Sequence, residues 1–458
     1  MSFMYDVTVL GGGPGGYEAA IRCAQYGLKT ALVEARELGG TCLNRGCIPT
    51  KALLHGAEVL DTVKDAKTFG VNVDGFSVDY KSLASFKDRS VGQLRRGIEA
   101  LERANGVKVY KGFGRLADAH TITVGEENFT TDKIILATGS EPSRPPIPGI
   151  ENAANSDDVL AWDTLPASVT IVGGGVIGIE FATLLSALGV KVTVLEMMPD
   201  ILPGVDPVIT GTLRKVLAPK GVEIINQAKV TAIEKDAVCY ELAGEAKKAP
   251  CERSIVCVGR RPMTKDIGLE GLNIRMNRAF VDVDEYLRTN VENIYAIGDM
   301  TGKIQLAHVA TAQGMVAAAN CAGKNERMNY NIVPACIYTH PEIAYIGKTK
   351  EAAEKAGYEV EVGKFDVGGN GRSMVMNERT GTCMIVTDKR TGEILGAQIM
   401  APHATDMIGE IAVAMRSEAT IDELSDTIHP HPTVCEIIME AAHDVEGLSC
   451  NAMPRKVK

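Results

Sequence analysis

The chain has 458 residues, of which 45% are hydrophobic and 47 are glycine, and its formal net charge is −10. This length exceeds what a single hydrophobic core normally supports, so we expect about three domains. The composition is that of a globular protein and excludes a largely disordered one. The acidic balance, without a stripe of Lys and Arg, argues against a nucleic-acid-binding function.

The start of the chain and its cysteines bear on where the protein works. Met1 leads almost directly into an apolar strand, without the basic stretch and cleavage site of a signal peptide, and no apolar run approaches the roughly 20 residues of a membrane helix. The eleven cysteines are scattered and odd in number, which is typical of thiols in a reducing compartment. We therefore expect a cytoplasmic protein without a membrane partner. Six cysteines among apolar or small neighbours are expected to serve packing alone: Cys23, Cys239, Cys257, Cys321, Cys336 and Cys383.

A strand, glycine turn, helix and second strand are predicted close to the amino terminus. The strand VTVL precedes the turn GGGPGG, a helix is predicted over 17–26, and the strand TALVE follows. Gly11 permits a tight turn, Gly13 lets the backbone approach a pyrophosphate, and Gly16 allows the helix to pack closely on the strand. Glu34 ends the second strand, where an acid can accept hydrogen bonds from a ribose.

A second copy of this unit begins about 160 residues later, with VTIV, GGGVIG, a helix predicted over 179–188 and VKVTVLE. Gly173, Gly175 and Gly178 match the three glycine positions, and Glu196 matches the acid. Met197, rather than an Arg that could receive a 2′-phosphate, follows Glu196, which favours NAD over NADP. Two complete copies predict two Rossmann-like nucleotide-binding domains.

The remaining sequence predicts the other boundaries and a third domain. The strand KIILATG is followed by the proline-rich EPSRPPIPGI, which marks a boundary near residue 148, and SIVCVGRRP closes the second unit near Pro262. NIYAIGDM places Asp299 on a turn at the end of a strand. From about Val333 the pattern is one of alternating strands, with a helix over 406–416. The predicted fold class is α/β, with two Rossmann-like domains followed by a C-terminal α+β domain.

Cys42 and Cys47 lie in GGTCLNRGCIPTK, just after the first unit. On a regular helix, residues five apart are separated by about 7.5 Å along the axis, more than the roughly 4.4 to 6.8 Å between Cα atoms that a disulfide tolerates. A redox-active pair therefore requires a distorted turn, which Gly46 allows. Half of a zinc site and two structural thiols are the alternatives; zinc would need another Cys or His pair, and His55 stands alone nearby.

A candidate acid–base pair lies in HPHPTVCE, where His431 precedes Glu436 by five residues. Thiol–disulfide exchange requires a base because the thiolate is the nucleophile, and a carboxylate can hold an imidazole in one tautomer and raise its pKa. Two loop histidines between prolines, or a metal site made by His429 and His431, are the alternative interpretations.

Together these motifs resemble the pyridine nucleotide-disulfide oxidoreductases, and most closely the branch that oxidises dihydrolipoyl groups. The resemblance covers nearly the whole chain. It implies an FAD-binding domain over 1–148, an NAD-binding domain over 149–268, a central domain over 269–332 that completes the FAD site, and a dimer-interface domain over 333–458.

The resemblance also implies roles for the thiols and the histidine. Cys42 would exchange with the substrate disulfide and Cys47 would contact the flavin, while His431 and Glu436 would form an acid–base dyad supplied by the partner subunit of a homodimer. The implied reaction oxidises dihydrolipoyl groups on a separate carrier protein with reduction of NAD+, in a 2-oxoacid dehydrogenase or glycine-cleavage complex. A glutathione reductase, a transhydrogenase and a docking or nucleotide-sensing component are the rival interpretations.

Further residues are assigned to the cofactors by resemblance alone. Lys51 and Glu180 match an ion pair beside the flavin ring, and Asp299 matches the acid that binds its ribityl chain. The other implied contacts are, for FAD, Gly40, Thr41, Thr138, Gly139 and Ala307, and, for NAD, Gly259.

Overall fold

The computed structural model describes residues 2–454, so Met1 and residues 455–458, at the ends of the expected first and last domains, lie outside the described residues. The first part of the chain forms a parallel sheet that continues into an antiparallel meander. This first part of the chain contains the strands β1 (Tyr5–Leu10), β2 (Thr30–Glu34), β3 (Lys108–Lys111), β4 (Gly114–Asp118), β5 (Thr121–Val124), β6 (Glu127–Leu136) and β7 (Ser140–Pro142). Its helices are α1 (Pro14–Gln25), α2 (Gly40–Arg45), α3 (Cys47–Asp65) and α4 (Tyr80–Ala104).

The parallel strands of this sheet run in the order β3-β2-β1-β6, and β6 also pairs with β5 of the meander. The unbroken apolar run of β1 is explained by burial on both faces of the sheet. Helix α1 begins at Pro14, three residues before the predicted start, because a proline at the first helical position needs no hydrogen-bond partner for its nitrogen.

The second unit repeats this arrangement. Its strands are β8 (Ala153–Ala154), β9 (Ser168–Val172), β10 (Lys191–Leu195), β11 (Val222–Ile225), β12 (Lys229–Ile233), β13 (Ala237–Leu242), β14 (Glu245–Pro250), β15 (Arg253–Val256) and β16 (Arg260–Pro262), and its helices are α5 (Ser156–Leu160), α6 (Val176–Ala187) and α7 (Pro207–Leu217). The parallel order β11-β10-β9-β15 matches that of the first sheet strand for strand, and β12, β13 and β14 form the second meander. Strand β16 pairs with β7, which joins the two units.

The chain then returns to the first sheet. This part contains β17 (Met276–Asn277), β18 (Phe280–Val281), β19 (Ile294–Ala296) and α8 (Ala307–Cys321). Strand β19 pairs in parallel with β6, and α8 packs on α1 so closely that a Cβ on Gly314 would lie 2.4 Å from the carbonyl oxygen of Gly15. The central segment therefore completes the layer that the amino-terminal segment begins.

The last part is an antiparallel sheet covered by helices. Its strands are β20 (Ala335–Ile337), β21 (Glu342–Gly347), β22 (Val360–Asp366), β23 (Thr382–Asp388) and β24 (Ile394–Ala401), and its helices are α9 (Lys350–Lys355), α10 (Gly371–Val375), α11 (Ala404–Arg416), α12 (Ile421–Asp426) and α13 (Glu436–Val445). The strand order is β20-β21-β24-β23-β22, and apolar residues of α11 and α13 share a core with β23 and β24. The predicted fold class is confirmed, whereas the exact domain boundaries stay predictions. Within residues 2–454, no helix is both long and apolar enough to cross a membrane.

Candidate active site

The cysteine pair lies where the chain passes from one helix to the next. Helix α2 ends at Arg45 and α3 begins at Cys47, with Gly46 between them in a non-helical conformation (φ −147°, ψ −107°). Across this interruption the thiols of Cys42 and Cys47 lie close enough to interact with each other. The predicted distortion of the turn is confirmed.

The two thiols differ in acidity. The hydrogen bond to Cys47, together with burial, raises the pKa of Cys42 well above its ordinary value. The pKa of Cys47 is lowered to about 7, first by the hydrogen bond with Cys42 and further by the positive charge of Lys51, which together outweigh its burial. Cys47 is therefore the sulfur that carries negative charge more readily when the pair is reduced.

An ion pair lies beside the cysteines. The Lys51 ammonium is 2.8 Å from both carboxylate oxygens of Glu180, whose side chain is only 5% exposed. The backbone N–H of Tyr338 donates to the same carboxylate at 3.1 Å, and the Tyr338 ring centroid lies 4.4 Å from the Lys51 ammonium. Helix α3, helix α6 and the segment after β20 thus meet at one pair of charges, as the resemblance implied for Lys51 and Glu180.

The first glycine turn has no room for a Cβ at three positions, one of which is Gly15, where it would lie 2.6 Å from the carbonyl oxygen of Ala310. Gly11 has φ +110°, and a Cβ there would lie 2.3 Å from the carbonyl oxygen of Ala137. A Cβ on Gly16 would lie 1.9 Å from the carbonyl oxygen of Gly11. Gly13 caps α1, so the amides of the first helical turn face outward with no side chain over them, which fits a pyrophosphate.

The start of α2 converges on the same turn. Gly40 has φ +56°, and a Cβ there would lie 2.6 Å from the Cα of Gly13, so these two backbones are in contact. Thr41 follows in the first turn of α2. One Glu34 oxygen accepts from the amide of Gly12 at 2.6 Å and the other from the amide of Arg36 at 2.7 Å, which fixes the acid beside the turn. Two helix starts and one acid therefore form the cradle that fits FAD.

Three further residues assigned to FAD lie around the end of β6 and the start of α8. The Thr138 hydroxyl donates to the carbonyl of Met263 at 2.6 Å, and the Met263 amide donates to the carbonyl of Gly139 at 2.9 Å. Gly139 has φ +73°. Ala307 is the first residue of α8, after the apolar cap Leu306. These residues tie the returning chain to the first sheet.

Asp299 has two partners that the sequence did not indicate. The Ser140 hydroxyl donates to its carboxylate, and the guanidinium Nε of Arg260 lies 3.8 Å from the same oxygen. Arg260 also donates to the hydroxyl and the carbonyl of Ser140, at 2.7 and 2.8 Å. The Arg in GRRP, at the end of a buried strand, was the signal that could have suggested an acidic partner.

The second glycine turn has the same construction. Gly173 has φ +108°, and a Cβ there would lie 2.5 Å from the Cys257 carbonyl oxygen, while one on Gly178 would lie 2.1 Å from that of Gly173. A Cβ on Gly175 would have more than 4 Å of clearance from every described residue. Gly259 (φ +103°) follows β15 with the same clearance.

Glu196 holds this turn as Glu34 holds the first. One of its oxygens accepts from the amide of Gly174 at 2.5 Å, and the other accepts from the amide of Met198 at 2.7 Å. Glu196 itself is 8% exposed, so its carboxylate is fixed inside the protein next to the start of α6. The open glycines and this acid fit NAD.

His431 and Glu436 form the expected pair. Nδ1 of His431 lies 2.9 Å from one Glu436 oxygen, and the Thr433 amide donates to the other oxygen at 2.9 Å. Burial by itself would raise the pKa of Glu436, but the hydrogen bonds from Thr433 and His431 outweigh it and lower the pKa. The His431 side chain is 76% exposed, so the dyad is presented at the surface of this chain.

The alternative of a metal site made by His429 and His431 finds no support. Both ring nitrogens of His429 are engaged by other residues, Glu410 and the Thr427 carbonyl. Residues 2–454 hold no group of three or more His, Cys, Asp or Glu placed to bind a metal ion. Over the same residues, no hydrogen bond or ion pair joins the dyad to the cysteine pair, so one chain does not bring them together.

Comparison with known proteins agrees with this geometry. Residues 5–314 match the model of the pyridine nucleotide-disulphide oxidoreductases, and residues 333–442 match the dimerisation domain of the same family. The chain belongs to this family. The predicted family is therefore confirmed, and the two glycine turns and the cysteine pair fit its flavin and nicotinamide cofactors.

Individual members of the pyridine nucleotide-disulphide oxidoreductases are similar over nearly their whole length. The dihydrolipoyl dehydrogenase of Bacillus subtilis is 42% identical over 98% of this chain and 99% of its own. That of Chlamydia pneumoniae is 41% identical over 96% and 97%. Among solved structures, the HOCl-induced flavoprotein disulfide reductase RclA from Escherichia coli superposes with a TM-score of 0.86 and 28% identity over 96% of this chain and 99% of that one.

Proposed function

We propose that this protein is a dihydrolipoyl dehydrogenase, which oxidises a protein-bound dihydrolipoyl group to the cyclic disulfide and reduces NAD+ to NADH and H+. The observation that carries the proposal is the placement of Cys42 and Cys47 on either side of the break at Gly46, next to the Lys51–Glu180 ion pair. The glycine turns and the exposed dyad provide the other parts that the reaction needs. Relatives named for this activity are 41% and 42% identical over nearly the full length.

The side chains can carry out the exchange as follows. One substrate thiol loses its proton to His431, and the resulting thiolate attacks the sulfur of Cys42 in the Cys42–Cys47 disulfide. The Cys42–Cys47 bond breaks, and Cys47 leaves as a thiolate, which its lowered pKa and the Lys51 charge favour. The second substrate thiol attacks the substrate sulfur of the mixed disulfide, and the bond from that sulfur to Cys42 breaks. His431 gives its proton to the departing Cys42 and takes the proton of the second thiol, and the cyclic disulfide leaves. Bound FAD supplies the redox link between this dithiol and NAD+.

We assign the catalytic dyad to the other subunit of a homodimer. His431 is 76% exposed and has no bond to the cysteine pair among residues 2–454, while residues 333–442 match a dimerisation domain. In such a site Cys42 of one subunit would lie close to His431 of the other, so that the exchanging thiol and the base could act on the same substrate. The lipoyl group would arrive on a separate carrier protein of a 2-oxoacid dehydrogenase or glycine-cleavage complex. The nine cysteines outside the redox pair are free thiols among the described residues, which suits a reducing cytoplasm.

The test is an assay of the purified full-length protein with its flavin. We expect a yellow protein that forms NADH from dihydrolipoamide and NAD+, followed by the near-ultraviolet absorbance of NADH. The dithiol loses two electrons and two protons, NAD+ accepts a hydride, and one proton is released. A protein that instead reduced glutathione disulfide with NADPH, and formed no NADH from dihydrolipoamide, would contradict the proposal.

A further inference from the structure

A second histidine–glutamate pair lies beside the dyad. The side chain of His429 is only 3% exposed, in contrast to that of His431 at 76%. Its Nε2 lies 2.8 Å from the carboxylate of Glu410 on α11, and its Nδ1 lies 2.9 Å from the carbonyl oxygen of Thr427. His429 is therefore enclosed and engaged at both ring nitrogens, two residues before the exposed base.

The partners of His429 indicate its charge. A carbonyl oxygen and a carboxylate oxygen both accept hydrogen bonds, so each ring nitrogen must supply a hydrogen. A ring with hydrogens on both nitrogens is an imidazolium. The pKa of His429 is raised in agreement, first by the hydrogen bond with Glu410, which outweighs burial.

This cation acts on the dyad. The charge of His429 is one of the interactions that lower the pKa of Glu436, and Glu436 in turn raises that of His429. The charged groups that interact with His429 are Glu410 on α11 and Glu436 at the start of α13. His431, on the same loop, bonds to Glu436, and Cys383 on β23 interacts with Glu410. The ring is thus a cation that interacts with two carboxylates, one of which holds the base.

We propose that His429, fixed by Glu410, is a positioning residue that anchors the dyad loop on α11 and adds to the interactions that keep Glu436 ionised. An ionised Glu436 keeps the hydrogen on Nδ1 of His431, which leaves Nε2 as the base. This inference rests on the proposed function, because it concerns the proton transfer from the dihydrolipoyl thiol. His429 itself touches no reacting atom.

The direction of the pH effect follows from the raised pKa of His429. The contribution of the imidazolium is fully present below the ordinary histidine value of about 6.5 and is lost as the pH rises through the raised value. Without the cation, Glu436 binds a proton at higher pH and releases its hold on His431. Removing the charge should therefore move the acidic limb of the activity profile to higher pH.

The experiment compares His429→Gln and Glu410→Gln with the parent holoenzyme, by the pH dependence of kcat/KM for dihydrolipoamide. We expect the acidic limb to move up by roughly half a pH unit in His429→Gln, which removes the cation, and by less in Glu410→Gln, where His429 is still protonated at acid pH but is no longer held in place. At neutral pH, where Glu436 stays ionised, kcat/KM should still fall about 10-fold, because the loop that carries His431 loses its anchor on α11. The KM for NAD+ should stay unchanged, and the double variant should be no worse than either single one, since the two residues act as one unit.

The matched control is His55→Gln. His55 also pairs with a glutamate, Glu58, at 3.1 Å, but its side chain is 70% exposed and it lies on α3. We expect its pH profile to match the parent. NADH oxidation by ferricyanide, which needs no dyad, measures the folded and flavin-loaded fraction of each variant, so that misfolding is not mistaken for mispositioning.

The outcomes are distinct. A parent that forms no NADH from dihydrolipoamide would overturn the proposed function together with this inference. An active parent whose His429→Gln and Glu410→Gln variants keep its acidic limb would overturn the inference alone. A uniform loss at all pH values, without a shift, would assign the pair a structural role only and would likewise contradict it.

Discussion

The two glycine turns have almost the same backbone. Gly11 and Gly173 have φ of +110° and +108°, and Gly13 and Gly175 have φ of −70° and −73° with ψ of −177° in both. Glu34 and Glu196 each hold their turn through two amides. The local sequence therefore dictates the same cradle twice.

The surroundings of the two turns differ. Gly13 contacts Gly40 at the start of α2, and α8 packs over the first helix, so the first turn is enclosed by later parts of the chain. A Cβ on Gly175 would have no described atom within 4 Å apart from its own chain neighbours. The same motif is therefore suited to two kinds of nucleotide binding. The enclosed turn suits a cofactor retained through turnover, and the open turn suits a nucleotide that exchanges at every cycle.

The largest effect is expected from a substitution that breaks the redox link between the two glycine turns. Cys47→Ser removes the sulfur that leaves as a thiolate, so NADH formation from dihydrolipoamide should fall by at least about 1000-fold, as for a lost catalytic nucleophile. NADH oxidation by ferricyanide, which uses both turns but not the thiols, should persist. The control is Cys450→Ser, because Cys450 is exposed and its thiol donates to the carbonyl of Leu448, two residues before it.

The same variant tests the separate roles of the thiols. On partial reduction of the holoenzyme, Cys47→Ser should lack the long-wavelength absorption band of a thiolate beside a flavin, and Cys42→Ser should keep it. The reason is that Cys47 has its pKa lowered to about 7. If Cys42→Ser lost the band and Cys47→Ser kept it, the assigned roles would be reversed.

The next largest effect is expected from a substitution that damages the enclosed turn and spares the open one. Gly40→Ala places a Cβ 2.6 Å from the Cα of Gly13 at φ +56°, a conformation that costs a non-glycine residue about 1–2 kcal/mol. We expect the purified variant to lose most of its flavin and to unfold at lower temperature, measured by visible absorbance and calorimetry. Its counterpart Gly175→Ala meets no described atom within 4 Å, so it should keep the flavin and the melting temperature but bind NAD+ more weakly. Equal flavin loss in both variants would contradict the distinction.

The sequence could predict those features of the fold and the site that depend on neighbouring residues in the chain. The glycine turns and the break at Gly46 follow from constraints within a few residues, namely positive φ, close backbone contact and the reach of a disulfide. The Lys51–Glu180 ion pair was implied only by resemblance. The bonds of Arg260 to Ser140, and of Glu410 to His429, join separate elements, and no local pattern encodes such pairings.

The smallest effect is expected from substitutions of Glu34 and Glu196, the acids that hold the two turns. In Glu196→Gln one oxygen becomes an NH2 group, which cannot accept from an amide, so either Gly174 or Met198 loses its partner and the open turn loosens. Hydrogen bonds to a charged group contribute about 1.5–3 kcal/mol, so the KM for NAD+ should rise about 10-fold or more while kcat and flavin content stay near those of the parent. Glu34→Gln makes the same chemical change in the enclosed turn. There the added contacts of Gly40 and α8 should keep the flavin bound during purification, with a faster loss only on dialysis against high salt. If instead Glu34→Gln emerged without flavin, the enclosure would contribute little and the acid would be the main determinant of retention.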